Sequence, residues 1–181
     1  MTTSSLSVFF AVLTVACWAG TVAAWTVAIA HRRAPESSIA ALFDDLRSAG
    51  LWLAALVALV TMAGSLYYSE IAHFVPCKLC WYQRIAMYPL GLTLTIAAIR
   101  RDARVWWYVV PAAVIGAAFA IYHTQLQAFP SQHSSFCTVA EPCTVRYVWE
   151  FGFISLPLMA LSAFVFVITF VLIARPQEGA V

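Results

Sequence analysis

Apolar residues in this chain run on longer than a buried soluble helix requires. Five predominantly apolar stretches of 18 or more residues stand out: 8–30, 51–69, 81–99, 105–123 and 153–174. About 20 residues of α-helix cross the roughly 30 Å hydrocarbon layer of a bilayer, so each stretch predicts a membrane-spanning helix. The first is not a secretory signal by pattern. "MTTSSLS" before it carries no positive charge, and its apolar run exceeds the roughly 7–15 residues of a signal core. "HRR" follows it instead. It reads as a retained helix with its N-terminus outside. Between the first two stretches, Ile39, Leu42, Phe43 and Leu46 recur at helical spacing. Pro35 and Ser37–Ser38 offer a start and Gly50 a stop, predicting a short helix on the cytoplasmic membrane surface. The tail "RPQEGAV" reads as disordered, and no internal repeat is present.

Composition strengthens the membrane reading. The 181 residues are 63% hydrophobic and only 10% charged, where a soluble domain carries about 25% charged residues. Charge then sets the orientation. Arg32, Arg33, Arg47, Arg100, Arg101, Arg104 and Arg175, seven of the ten Lys and Arg, fall on one side, which the positive-inside rule makes cytoplasmic. Lys78, Arg84 and Arg146 fall on or near the other side. The net charge of +2 therefore needs no nucleic-acid partner.

Candidate chemistry lies in the cysteines. Cys17, inside the first span, reads as a small packing residue. The other four form two groups, Cys77/Cys80 and Cys137/Cys143, both on the non-cytoplasmic side, where disulfides persist. Three readings are open: two structural staples, a zinc site, or redox chemistry. The Cys-x5-Cys spacing of the second group and the oxidising compartment weigh against zinc. A Cys-x-x-Cys disulfide closes so small a loop that it restrains the unfolded chain little. At a helix N-terminus, however, a thiolate gains from the helix dipole. Arg84 is four residues after Cys80, hence on the same helix face, and a cation in a membrane segment is costly enough to suggest function. The expectation is that Arg84 lowers the Cys80 thiol pKa. Glu70, His73 and Arg146 lie close enough in sequence to act on the thiols, though a solvated helix end explains Glu70 equally well. Trp81, Tyr82, Tyr88, Trp106, Trp107, Tyr147 and Trp149 fit interfacial aromatic belts.

The run "PCKLCWYQR" followed by "MYP" resembles the DsbB/BdbC family of disulfide-bond formation proteins. "YHTQLQAFP" at 122–130 and "CTVRYVWEFGFISLP" at 143–157 are similar to that family's segments around its second cysteine pair. The close spacing of that pair looks more like the BdbC branch. The resemblance implies an all-α integral membrane protein, a four-helix transmembrane bundle, here with one extra N-terminal transmembrane helix. Residues 1–50 would hold that helix and a cytoplasmic amphipathic loop, 51–175 the catalytic domain and 176–181 a cytoplasmic tail. The resemblance further implies a multi-pass enzyme of the bacterial cytoplasmic membrane. It would reoxidise an extracytoplasmic DsbA-like thioredoxin-fold protein and pass the electrons to a membrane quinone, ubiquinone or menaquinone.

On this reading Cys137, Cys143, Cys77 and Cys80 are catalytic. The partner attacks at Cys137, the loop pair then attacks Cys77, and Cys80 delivers electrons to the quinone. Arg84 and His123 match the family's quinone-site arginine and histidine. The alternatives are an oxidoreductase of the vitamin K epoxide reductase type, or a non-enzymatic membrane protein with two structural disulfides.

Overall fold

The computed structural model describes residues 3–34, 39–132, 136–137 and 142–176. Among the described residues, five long helices make up the fold: α1 (Thr3–Arg33), α2 (Ile39–Leu66), α3 (Lys78–Arg100), α4 (Trp106–Ala128) and α5 (Leu156–Ala174). This is an all-α bundle. Four segments are long and apolar enough to cross a membrane: Thr3–Arg33, Ile39–Ile71, Ala103–Ala128 and Leu156–Ala174. The fifth expected span corresponds to α3, which is less apolar because its first turns carry Gln83 and Arg84. Those polar groups are turned onto the neighbouring helices: Arg84 reaches α2 and Gln83 reaches α4. At about 1.5 Å per residue, the 23 residues of α3 are still long enough to span.

Small residues let the helices approach closely, as membrane bundles require. Ala54, Ala55 and Ala58 of α2 and Ala113, Ala117 and Ala120 of α4 are buried against Phe164, Val167 and Phe170 of α5. Helices consecutive in the chain run antiparallel. His31 near the end of α1 stacks on Phe43 near the start of α2, while Phe10 near the start of α1 packs over Gly64 near the end of α2. The seven arginines consequently gather at one end of the bundle. There Arg47 donates to the Arg175 carbonyl at 3.4 Å, and Arg175 lies over Trp106. Both cysteine pairs sit at the other end.

One expectation is corrected. The segment after residue 38 is not a separate surface helix, and Gly50 is not a stop. The helix runs unbroken from Ile39 through Gly50 to Leu66. Gly50 is buried, and a Cβ there would lie 2.8 Å from the Phe170 carbonyl oxygen and 3.1 Å from the Ala174 Cβ. The glycine serves a close approach of α5, not a break in α2. The expected start signals at Pro35, Ser37 and Ser38 and the tail 177–181 lie outside the described residues. Gly50→Ala should therefore destabilise the bundle by about 1–3 kcal/mol, although alanine is the better helix former. Thermal unfolding in detergent checks the sign; an unchanged or raised midpoint would mean the α5 backbone yields.

Candidate functional site

The site begins where α2 loosens. Its last turn widens into a π-helix, Tyr67–Ile71, with the Ala72 amide donating to the Tyr67 carbonyl at 3.0 Å. The chain then turns through His73, whose φ is +56°, and reaches Cys77, the N-cap of α3. Cys77 is buried and Cys80 half-buried. Their sulfurs are 3.2 Å apart and not bonded. In the loop between α4 and α5, Cys137 and Cys143 are joined as a disulfide. Cys143 is only 2% exposed, whereas Cys137 is half-buried. The two pairs meet in one cluster: Cys77, Leu79, Leu126 and Cys143 pack together, with Cys80, Phe119, Tyr122 and Cys137 against them.

His123 of α4 joins the two pairs. It is buried, and its Nε2 lies 3.1 Å from the Cys143 carbonyl oxygen and 3.8 Å from Cys77 Sγ. A carbonyl can only accept, so Nε2 carries a proton. Its Nδ1 is 3.1 Å from the side-chain amide of Gln83. That amide offers donors on one side and an acceptor on the other. It can therefore serve Nδ1 whether His123 is neutral or an imidazolium.

Cys77 lies at the end of α3, outside its helical residues, and its thiol is lowered to about 4. The hydrogen bond from Cys80 is the largest cause; His123 adds to it, and burial opposes both. Cys77 receives Cys80 and His123 together, while Arg84 is held by the Ser65 carbonyl and the Trp81 ring. The sign of the pH effect follows. An unfolded thiol titrates at about 8.5, so the thiolate's contribution to stability is complete above that pH. It is lost as pH falls through about 4. In a Cys17→Ser background with the loop disulfide closed, thiolate absorbance of the reduced pair should persist through neutral pH and vanish near about 4. Loss of the signal already on going below the ordinary thiol range would contradict this.

Arg84 Nη2 donates to the Ser65 carbonyl at 2.9 Å, and its guanidinium lies over the Trp81 ring. Tyr88 Oη donates to Ser65 Oγ at 3.3 Å. Arg84, Tyr88, Ser65, Gln83 and Cys80 border a largely apolar cavity of about 630 Å³, which Cys77 does not line. Tyr88 and Tyr147 belong to this cavity, while Trp81, Trp107 and Trp149 are exposed on the surface.

Arg146 donates to the Gln127 carbonyl and stacks on Trp149, so it pins the disulfide loop to the end of α4. Gln127 reinforces the joint by donating to the Val145 carbonyl at 3.0 Å. Glu70 is exposed and accepts from Ser69 Oγ; among the described residues no contact links it to the thiols. Cys77, Cys80 and His123 bring three ligand-type atoms within 4.8 Å of one another. This set takes one cysteine pair and a histidine, not the two cysteine pairs weighed as a zinc site above.

Two contributors went unassigned in the sequence. Gln83 stood out only as a polar residue in an apolar span, three after Cys80 and hence on its face. Ser65 acts through its carbonyl, for which side-chain identity gives no signal.

Comparison with known proteins identifies the family. The model of the family described as "Disulfide bond formation protein DsbB" matches residues 47–174. Disulfide bond formation protein C of Bacillus subtilis (strain 168) is 46% identical over 130 residues, covering 71% of this chain and 94% of its own length. The probable disulfide formation protein C of Halalkalibacterium halodurans is 44% identical over 124 residues, covering 65% of this chain and 85% of its own length. No solved structure matches the chain. A bundle of apolar helices with a bonded and an unbonded cysteine pair packed at one end, and these matches, place the chain in the DsbB family of disulfide bond formation proteins: it is a multi-pass membrane oxidoreductase that generates disulfides.

Proposed function

We propose that the chain takes electrons from a reduced, DsbA-like thioredoxin-fold partner outside the cytoplasm and delivers them to a membrane quinone. One observation carries this reading: the two sulfurs of the α3 pair face different surroundings. Cys77 packs with Cys143 and touches His123. Cys80 borders the apolar cavity, together with Arg84. The cavity suits a quinone, because its lining is largely apolar and Gln83 and Arg84 stand in it together with Cys80. Its volume lies within the usual 300–1,000 Å³ of a small-molecule site. Arg84 has five N–H donors and gives one to Ser65, so donors remain for a carbonyl oxygen.

The exchange then runs from wet to dry. A partner thiolate attacks the half-buried Cys137; the Cys137–Cys143 bond breaks and Cys143 leaves as a thiolate. The partner's second thiol displaces Cys137 and the partner departs oxidised. Cys143 attacks Cys77, breaking its bond to Cys80. Cys137 then attacks Cys143, closing the loop disulfide again and freeing Cys77. At this stage the loop pair is bonded, Cys77 and Cys80 are thiols, and two electrons are held on α3. A bound quinone supplies an acceptor for two electrons and two protons. On giving them up, Cys77 and Cys80 join as a disulfide. His123 holds or releases a proton at Nδ1 while Gln83 follows its charge, and Arg84 steadies negative charge at the cavity mouth.

The arginine end would face the cytoplasm, putting both pairs outside and the C-terminus inside. The test is a purified chain in lipid nanodiscs with a reduced thioredoxin-fold oxidase and a quinone. One partner disulfide should form per quinol. Oxidation that proceeds without quinone would overturn the reading.

A further inference from the structure

We propose that α1, which lies outside the family match, forms the wall along which the prenyl tail of the quinone lies. This rests on the quinone reading above and assigns a task to a helix that reading does not use. The cavity that begins at Cys80 and Arg84 does not end among the family's own helices. Leu6, Phe10, Leu13 and Cys17 of α1 line it, at i, i+4, i+7 and i+11, one continuous stripe of a helix. From residue 6 to 17 the helix advances about 16 Å, roughly half of a 30 Å hydrocarbon layer. The cavity therefore extends from the polar cysteine end towards mid-bilayer. A quinone ring needs only its mouth; the remaining length fits a long apolar chain joined to a small neutral polar head.

α1 is held against the site by contacts of its own. Tyr68 Oη donates to Ser7 Oγ at 3.1 Å, and the bond is buried. The Phe10 ring packs against Tyr68 and fills the space over Gly64, where a Cβ would come within 2.7 Å of it. Further along, Trp25 Nε1 donates to Thr169 Oγ1 at 3.2 Å. The helix thus touches the π-helical turn and α2 at the cysteine end and α5 beyond it. The occupant is a quinone rather than a phospholipid because the mouth offers little to a phosphate. Among the described residues Arg84 is the one cation in its lining, a single positive charge against the two or more anionic oxygens of a phosphate, and Phe74, Val75 and Pro76 line it as well.

The full chain in nanodiscs, irradiated with a quinone bearing an azide on its prenyl tail, should be labelled within residues 6–17. A natural long-tailed quinone should compete the label away. Labelling confined to other helices, or competed by phospholipid but not by quinone, would overturn the assignment. As a second readout, Leu13→Trp should lower the ratio of kcat/KM for a long-tailed quinone to that for a tail-less one by about tenfold. An unchanged ratio in folded protein would also overturn it. Failure of any quinone to be reduced would remove the quinone reading and this one together. Quinone reduction with α1 unlabelled would remove this one alone.

Discussion

Cys80→Ser should reduce quinone-linked turnover by about 10³-fold or more, while the protein still folds and inserts. The reason lies in where each sulfur sits. Of the α3 pair, Cys80 is the thiol that borders the apolar cavity, and without it Cys77 has no partner with which to close a disulfide on α3. Electrons entering through the loop then have no exit. Serine is nearly isosteric and keeps a hydrogen bond to Cys77, so the local packing around Leu79 and Leu126 survives. The loop pair, bonded independently, should still exchange with a thioredoxin-fold partner. The variant should therefore hold Cys77 in mixed disulfides visible on non-reducing gels. Two results would count against the assignment. Loss of folding would make the pair a structural staple, and turnover at the parent rate would place the exit elsewhere.

Arg84→Ala should raise the KM for quinone by about 10- to 100-fold, equivalent to about 1.4–2.7 kcal/mol, with a smaller fall in kcat. The guanidinium is fixed from two sides, by the Ser65 carbonyl and by the face of Trp81, so its remaining donors are held at the cavity mouth. Fixing a donor before the acceptor arrives is what gives such a group its strength. Arg84→Lys retains the charge but loses the planar fork, and its KM should fall between the two. The bond to Ser65 also ties α3 to α2, so the melting midpoint of Arg84→Ala should drop slightly. A lowered midpoint with an unchanged KM would make Arg84 a tie between helices and nothing more.

Much of this was legible in order along the chain. The apolar runs placed four spans directly, because a bilayer demands a long unbroken stretch and punishes little else. The arginines marked one end because their spacing follows the loops. The Cys-x-x-Cys-Trp-Tyr-Gln-Arg run announced a reactive pair beside a cation. Where the reading went astray, the deciding contact came from a distant helix. Gly50 reads as a stop by itself, and only α5 lying against it shows why a glycine sits inside a helix. The sequence ties Arg84 to Cys80, four residues away, but gives no sign that His123, 46 residues on, stands at the Cys77 sulfur or that Arg84 reaches Ser65.

The sequence by itself determined that this chain crosses the membrane as a helical bundle, that its positive charge collects at one end, and that two cysteine pairs collect at the other. Those properties depend on residue type and local spacing, and the solvent on either side of a bilayer enforces them. Only the tertiary structure decided which sulfur faces the loop and which the cavity, that His123 links the pairs, and that α1 closes the cavity wall. Each of these depends on side chains brought together from separate helices, at distances that spacing along the chain does not specify.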